Sequence, residues 1–236
     1  MSGKSKKVKG TKQTLEFVEE PKKLHVKQIK CKNTRQKEFL KCIEEHEVTI
    51  CTGVPGSGKT FMALYAALKA LEKNMIEKIV LVKSVTTIPG EDIGILPGDI
   101  YDKMDPFMIS FFGNIDKIIG EPERKRLVGE KKIEIQPIAY VRGINIDNAI
   151  VILDECQNVS IQTFKSIITR IGQNSKYIIM GDIEQIDLRH RDQSSLAKLT
   201  ELFREDELVG VVNFTNDDCV RNPIIPHLLD KIRQIE

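Results

Sequence analysis

The chain has 236 residues, 41% hydrophobic and 30% charged, a length and balance that predict one compact domain and exclude a disordered or fibrous chain. Cys31, Cys42, Cys51, Cys156 and Cys219 are widely spaced with no C-x-x-C pair, and no apolar run nears a membrane span, so a zinc site, a secreted disulfide framework and a membrane partner are not expected. The net charge of +2 arises in the N-terminal tail, where Lys4, Lys6, Lys7, Lys9 and Lys12 stand without acids, leaving a slightly acidic body.

A soluble protein of the reducing cytoplasm fits this composition. Residues 1–13 form a basic tail of disordered composition, suited either to a solvated arm or to one lying on nucleic-acid phosphates. Residues 14–236 read as a single domain. Residues 24–30 predict a short strand, and Asn33 or Thr34 caps a helix over 35–45 that turns Phe39, Leu40 and Ile43 inward. Then come a β-branched strand at 48–52, a glycine-rich loop at 53–59 and a helix at 60–72 with Phe61, Leu64, Tyr65, Leu68 and Leu71 at helical spacing.

Continuous apolar runs at 79–82, 149–153, 177–180 and 208–214 have the pattern of strands covered on both faces of a parallel sheet. Helical patterns at 161–171 and 194–203 separate them. This alternation predicts an α/β fold of parallel βαβ units with right-handed crossovers. Residues 85–98, rich in glycine and proline, read as a long loop of the functional or mobile kind. An aromatic-rich helix near 101–119 and a strand at 132–138 follow. Tyr101, Phe107, Phe111 and Phe112 recur at helical spacing and are expected in the core rather than stacked on bases. His25, His46, His190 and His227 lack metal-ligand spacing.

Gly53-Val54-Pro55-Gly56-Ser57-Gly58-Lys59-Thr60 fits G-x-x-x-x-G-K-[ST] in a strand-loop-helix context. Glycines there let successive N–H groups curl around phosphates, Lys59 reaches the outer phosphates, and the Thr60 hydroxyl suits Mg²⁺. Asp154 and Glu155 end the apolar strand at 149–153, where Asp154 is expected to hold the metal and Glu155 to polarise an attacking water. After the next strand, Gly181-Asp182-Ile183-Glu184-Gln185 offers Gln185 or Asp182 as a sensor of the γ-phosphate, with an Asx turn the competing reading.

Seven motifs in order, Gly53–Thr60, Gly90–Asp99, Ala139–Gly143, Val151–Asn158, Thr169–Gly172, Gly181–Asp187 and Val220–Pro223, resemble those of the PhoH family from about residue 32 onward. Cys156 departs from the alanine usual in that family. The resemblance implies a P-loop NTPase with a RecA-like parallel sheet and helices on both faces, related to the first motor domain of superfamily 1 helicases. It also implies that Gln36, upstream of the loop, reads the edge of adenine as the glutamine motif of those helicases does.

Two function classes fit these residues. The leading one is an ATPase using ATP and Mg²⁺ and coupled to RNA or single-stranded DNA. The other is a nucleotide-dependent interaction protein, which the acidic body favours. A small-molecule kinase fits poorly, because Glu155 places a water-activating acid beside the metal-binding one. A two-domain motor sets its nucleotide between domains, and this chain has room for one. An arginine from a neighbouring copy in a head-to-tail hexameric ring is therefore expected, with Arg221 favoured over Arg170 and Arg142.

Overall fold

The computed structural model describes residues 23–83, 100–141, 143, 145–186, 194–220, 224, 228 and 231. The basic tail, the loop at 85–98, Arg142, Arg221 and the side chains of Tyr101 and Phe107 lie outside this described set. Six strands, β1 (Val48–Gly53), β2 (Lys78–Lys83), β3 (Ile133–Pro137), β4 (Ala149–Asp154), β5 (Lys176–Gly181) and β6 (Val209–Phe214), form one sheet in the order β3-β2-β4-β5-β1-β6. Every pair in it is parallel.

Connecting segments carry the helices α1 (Thr34–Glu45), α2 (Lys59–Glu72), α3 (Ile100–Ile119), α4 (Glu121–Gly129), α5 (Ile138–Val141), α6 (Ile161–Ile168) and α7 (Ser195–Leu202). Alternate strand residues feed two separate cores. Cys51, Leu81, Ile152, Ile178 and Val212 pack with Phe39, Leu64, Leu68, Phe111, Ile115 and Leu127 from α1 to α4 on one face. Ile50, Val80, Val151, Tyr177 and Ile179 pack with Val141, Phe164, Ile167, Leu196 and Leu199 from α5 to α7 on the other.

The topology explains this division. The chain steps toward the β3 edge from β1 to β2 to β3, with α2, α3 and α4 on the first face. It steps back through β4 and β5 to β6 with α5, α6 and α7 on the second. Reversing both direction and face keeps every crossover of one hand, as parallel βαβ units require. Because consecutive β1 and β2 are separated by β4 and β5, the C-terminal tips of β1, β4 and β5 converge on one cleft, the usual ligand position in such sheets.

One expected element is missing from the structure. Residues 24–30 form no strand: Val26 N–H donates to a Glu72 carboxylate oxygen at 2.8 Å and Lys27 N–H to the Ile118 carbonyl, so helices take the bonds that a sheet edge would have taken. The sequence also gives no sign of α4, whose charged residues bury little beyond Leu127; Pro122 in its first turn and Glu121 and Glu123 beside it start the helix. Asn33 is the cap of α1, its side chain accepting from Gln36 N–H at 2.8 Å. At the other end, Lys176 Nζ donates to the carbonyls of Ile43, Glu44 and His46 at 2.9, 2.8 and 2.8 Å, closing groups that a helix terminus leaves open. Phe111 is fully buried, and Phe112 carries the Arg124 guanidinium 4.5 Å above its ring. Among the described residues no helix is long and apolar enough to cross a membrane.

Candidate nucleotide-binding site

The loop between β1 and α2 holds Gly56 and Gly58 at φ of 83° and 90°, left-handed conformations that turn successive N–H groups inward at the start of α2. Gly53 is needed for a different reason, since a Cβ there would lie 2.2 Å from the Phe214 carbonyl oxygen on β6. Ser57 Oγ braces the loop by donating to the Val54 carbonyl at 3.0 Å. Lys59 Nζ donates to the carbonyls of Gly53 and Val54 at 2.5 and 2.9 Å. Its charge therefore lies over the loop, within a side-chain swing of any phosphate bound there.

Thr60 opens α2 and Asp154 ends β4, yet Thr60 Oγ1 donates to Asp154 Oδ2 at 3.0 Å. These are two hard oxygen donors on either side of the loop's mouth. Burial raises the Asp154 pKa, and the neighbouring Glu155 carboxylate raises it further, against the lowering effect of the Thr60 bond. A divalent cation would relieve both causes. Among the described residues no cluster of three or more His, Cys, Asp or Glu forms a metal site. Thr60 and Asp154 are oxygen donors of the kind that hold Mg²⁺, which commonly takes one or two protein oxygens together with phosphate and water.

Glu155 adopts a left-handed conformation at φ 58°, which turns the chain sharply at the tip of β4 and costs on the order of 1–3 kcal/mol for a residue with a Cβ. Its N–H donates to Asp154 Oδ1 at 3.1 Å, and its Oε2 accepts from Gln157 Nε2 at 2.9 Å. Gln157, 4% exposed, turns its other end to β5, where Oε1 accepts from Asp182 N–H at 3.3 Å. One amide thus ties the acids of two strand tips together. The sequence places Gln157 in a motif without giving it a task; its signal is an amide two residues after the acidic pair. Asp182 is buried, with Oδ1 accepting from Glu184 N–H at 3.0 Å and Oδ2 without a partner among the described residues. Its pKa is raised, first by burial. The two readings of this turn are compatible in geometry: it is an Asx turn, and Gln185, exposed, still lines the cleft.

The cleft measures about 480 Å³ and is lined by the loop, by Thr60, Asp154, Glu155, Asp182 and Gln185, and by residues outside the motifs, Lys30, Lys32, Asn114 and Lys117. Gln36 also lines it but is only 3% exposed, with Nε2 donating to the Ser57 carbonyl at 2.9 Å and Oε1 accepting from Lys32 N–H at 2.8 Å. Its amide braces the loop as well as facing the cleft. Opposite it, Val220 N–H donates to the Gly56 carbonyl at 3.0 Å, and Asn33 Nδ2 reaches the Asp218 carbonyl at 3.1 Å. The loop is clamped by α1 and by the chain leaving β6. Arg170 lies before β5 at the N-terminal edge of the sheet, its carbonyl accepting from Tyr177 Oη–H at 3.2 Å, at the edge opposite the cleft.

A six-stranded parallel sheet covered on both faces, with a glycine-rich phosphate loop after one strand and an acidic pair at the tip of another two places away, defines a P-loop ATPase-like protein with a RecA-like core. The sequence signature described as PhoH-like protein matches residues 28–233, and the chain belongs to the PhoH family. It is 36% identical over 209 residues to a PhoH-like protein of Synechocystis sp., covering 88% of this chain and 63% of that protein. It is 37% identical over 203 residues to Protein PhoH of Escherichia coli strain K12, covering 85% and 57%. The chain therefore spans less than two thirds of these relatives. The large terminase of a thermophilic bacteriophage is a similar solved structure, at 14% identity and a TM-score of 0.47, with 84% of this chain and 50% of that one covered.

Proposed function

We propose that this protein binds Mg-ATP at the cleft, hydrolyses it, and couples the cycle to RNA or single-stranded DNA. The observation that carries the reading is the 3.0 Å contact between Thr60 Oγ1 and Asp154 Oδ2. It brings the phosphate loop to the acidic strand tip although the two are 94 residues apart in sequence.

Thr60 and Asp154 would hold the metal, which when bound neutralises phosphate charge. Lys59 exchanges the Gly53 and Val54 carbonyls for β- and γ-phosphate oxygens. Glu155, oriented by Gln157, polarises a water whose oxygen attacks the γ-phosphorus. The bond from that phosphorus to the β-bridging oxygen breaks, releasing ADP and phosphate, and Glu155 takes up the proton. Gln185, at the cleft edge, is suited to sense the γ-phosphate. Gln36 keeps one N–H and one oxygen lone pair for the adenine edge beside its bonds to Ser57 and Lys32.

Among the described residues no arginine lines the cleft. We assign the arginine to a neighbouring copy in a head-to-tail hexameric ring, where a repeated contact would set each nucleotide at a boundary between copies. Arg221, adjacent in sequence to the loop-bonded Val220, is the candidate. Mixing Arg221→Ala with Lys59→Ala subunits, each inactive alone, is expected to restore part of the turnover; no rescue would defeat supply in trans. Coupling is tested by ATP turnover with and without RNA, single-stranded DNA and duplexes. Stimulation by a single strand is the expected result, and identical rates throughout would defeat coupling while leaving hydrolysis intact.

A further inference from the structure

Charge is divided along the cleft. Its three acids, Asp154, Glu155 and Asp182, stand at the tips of β4 and β5, where the metal and the γ-phosphate belong. Three lysines outside the phosphate loop, Lys30, Lys32 and Lys117, line its remaining wall with Asn114. All three are exposed and none forms an ion pair with a described residue. They are not loosely placed. Lys32 N–H donates to the Gln36 amide that also holds Ser57, so its backbone is two hydrogen bonds from the phosphate loop. The segment carrying Lys30 is tied to the end of α3 by Lys27 N–H donating to the Ile118 carbonyl. Asn114 and Lys117, one helical turn apart on α3, reach the cleft from the flank of the face that buries Phe111, Ile115 and Ile118.

With its outer phosphates at Lys59 and Thr60, a nucleotide whose base meets Gln36 would pass its ribose along this wall, since Gln36, Lys30, Lys32 and Lys117 line the same cleft. Ribose and adenine carry no charge there, whereas this wall gathers three ammonium groups that pair with no acid among the described residues. We infer that the wall of Lys30, Lys32 and Lys117 is a second phosphate subsite, taking a phosphate esterified to the ribose 3′-oxygen of the nucleotide held by the loop. This rests on the reading of the loop as a nucleotide site. Two sources carry that chemistry: a free nucleotide phosphorylated at its 3′-oxygen, and the 5′-triphosphorylated end of an RNA, whose first internucleotide phosphate occupies the same place. Lysines bind such groups as point charges and need no fixed geometry.

Calorimetric titration of the full chain with Mg²⁺ compares ADP with adenosine 3′-phosphate 5′-diphosphate, and ATP with the dinucleotide pppApA. At low salt the 3′-phosphorylated mononucleotide is expected to bind at least about tenfold more tightly than ADP, with the advantage shrinking as salt rises. In Lys30→Ala/Lys32→Ala/Lys117→Ala the ratio of the two affinities falls toward one. A preference shown by pppApA as well assigns the subsite to either source, and one shown by the mononucleotide alone restricts it to free nucleotides. Equal affinities of ADP and its 3′-phosphate, or a preference that survives the triple substitution, overturn the subsite. If ADP itself fails to bind, the nucleotide-site reading is what has failed.

Discussion

Gly58→Ala tests how the phosphate loop is held. Gly58 sits at φ 90°, and a Cβ there would lie 2.8 Å from Gln36 Nε2 and 3.8 Å from Val220 Cγ2. The left-handed backbone alone costs an alanine about 1–2 kcal/mol. The Gln36 amide has little room to retreat, because the residue is 3% exposed and both amide ends are bonded. Displacing it leaves the Ser57 carbonyl buried and unpaired, at roughly 1–3 kcal/mol. Gly58→Ala should therefore destabilise by about 2–5 kcal/mol in the wild-type background. With Gln36→Ala the clash disappears and only the backbone cost of about 1–2 kcal/mol remains. Urea unfolding of the four proteins closes a double-mutant cycle, in which a coupling of about 1–3 kcal/mol is expected. Additivity within about 0.5 kcal/mol would refute the argument that Gln36 supports the loop through Gly58.

Asp154 and Asp182 both have raised pKa values, with burial the leading cause. Between their unfolded and folded pKa values the native state holds more protons than the unfolded chain, so ligand-free stability should fall as pH rises from about 4. Melting temperatures across pH should show that decline, flattened in Asp154→Asn, which should also melt higher than wild type at about pH 7.5. Lys176→Met removes three bonds to the end of α1 and should cost about 2–3 kcal/mol, with hydrogen exchange speeding up first at the last turn of α1. Gln157→Leu frees Glu155 and should lower turnover by about 10- to 100-fold while ATP affinity stays within about twofold, since Gln157 positions the acid without holding phosphate; calorimetry beside a turnover assay separates the two effects.

Much of this was legible in the sequence, for physical reasons that differ by element. Strands β1, β2, β4 and β5 are buried on both faces, so their apolar runs stand out from flanking charge. The phosphate loop and Asp154-Glu155 are local in sequence and need only their strand-loop context. What could not be read is non-local. The order β3-β2-β4-β5-β1-β6 depends on which crossover packs on which face, and no single run encodes it. Residues 24–30 have strand composition but meet helices instead of a sheet edge. Gln36 bonds to the Ser57 carbonyl and Gln157 to the Asp182 N–H, 21 and 25 residues away, groups that only folding brings near. Lys30, Lys32, Asn114 and Lys117 belong to no motif, and they join the cleft because α3 and the segment before α1 are tied together at Ile118.

Phosphate release from ATP by wild type and Glu155→Gln, with ATP affinity measured on the same samples, tests the central claim most directly. Glu155 touches neither the loop nor the Thr60–Asp154 pair through its side chain, whose described partner is Gln157, so the amide should leave binding near wild type. Loss of the base should slow Mg²⁺-dependent turnover by at least about 100-fold. Wild type that binds Mg-ATP without releasing phosphate, or Glu155→Gln that turns over at the wild-type rate, would contradict the account.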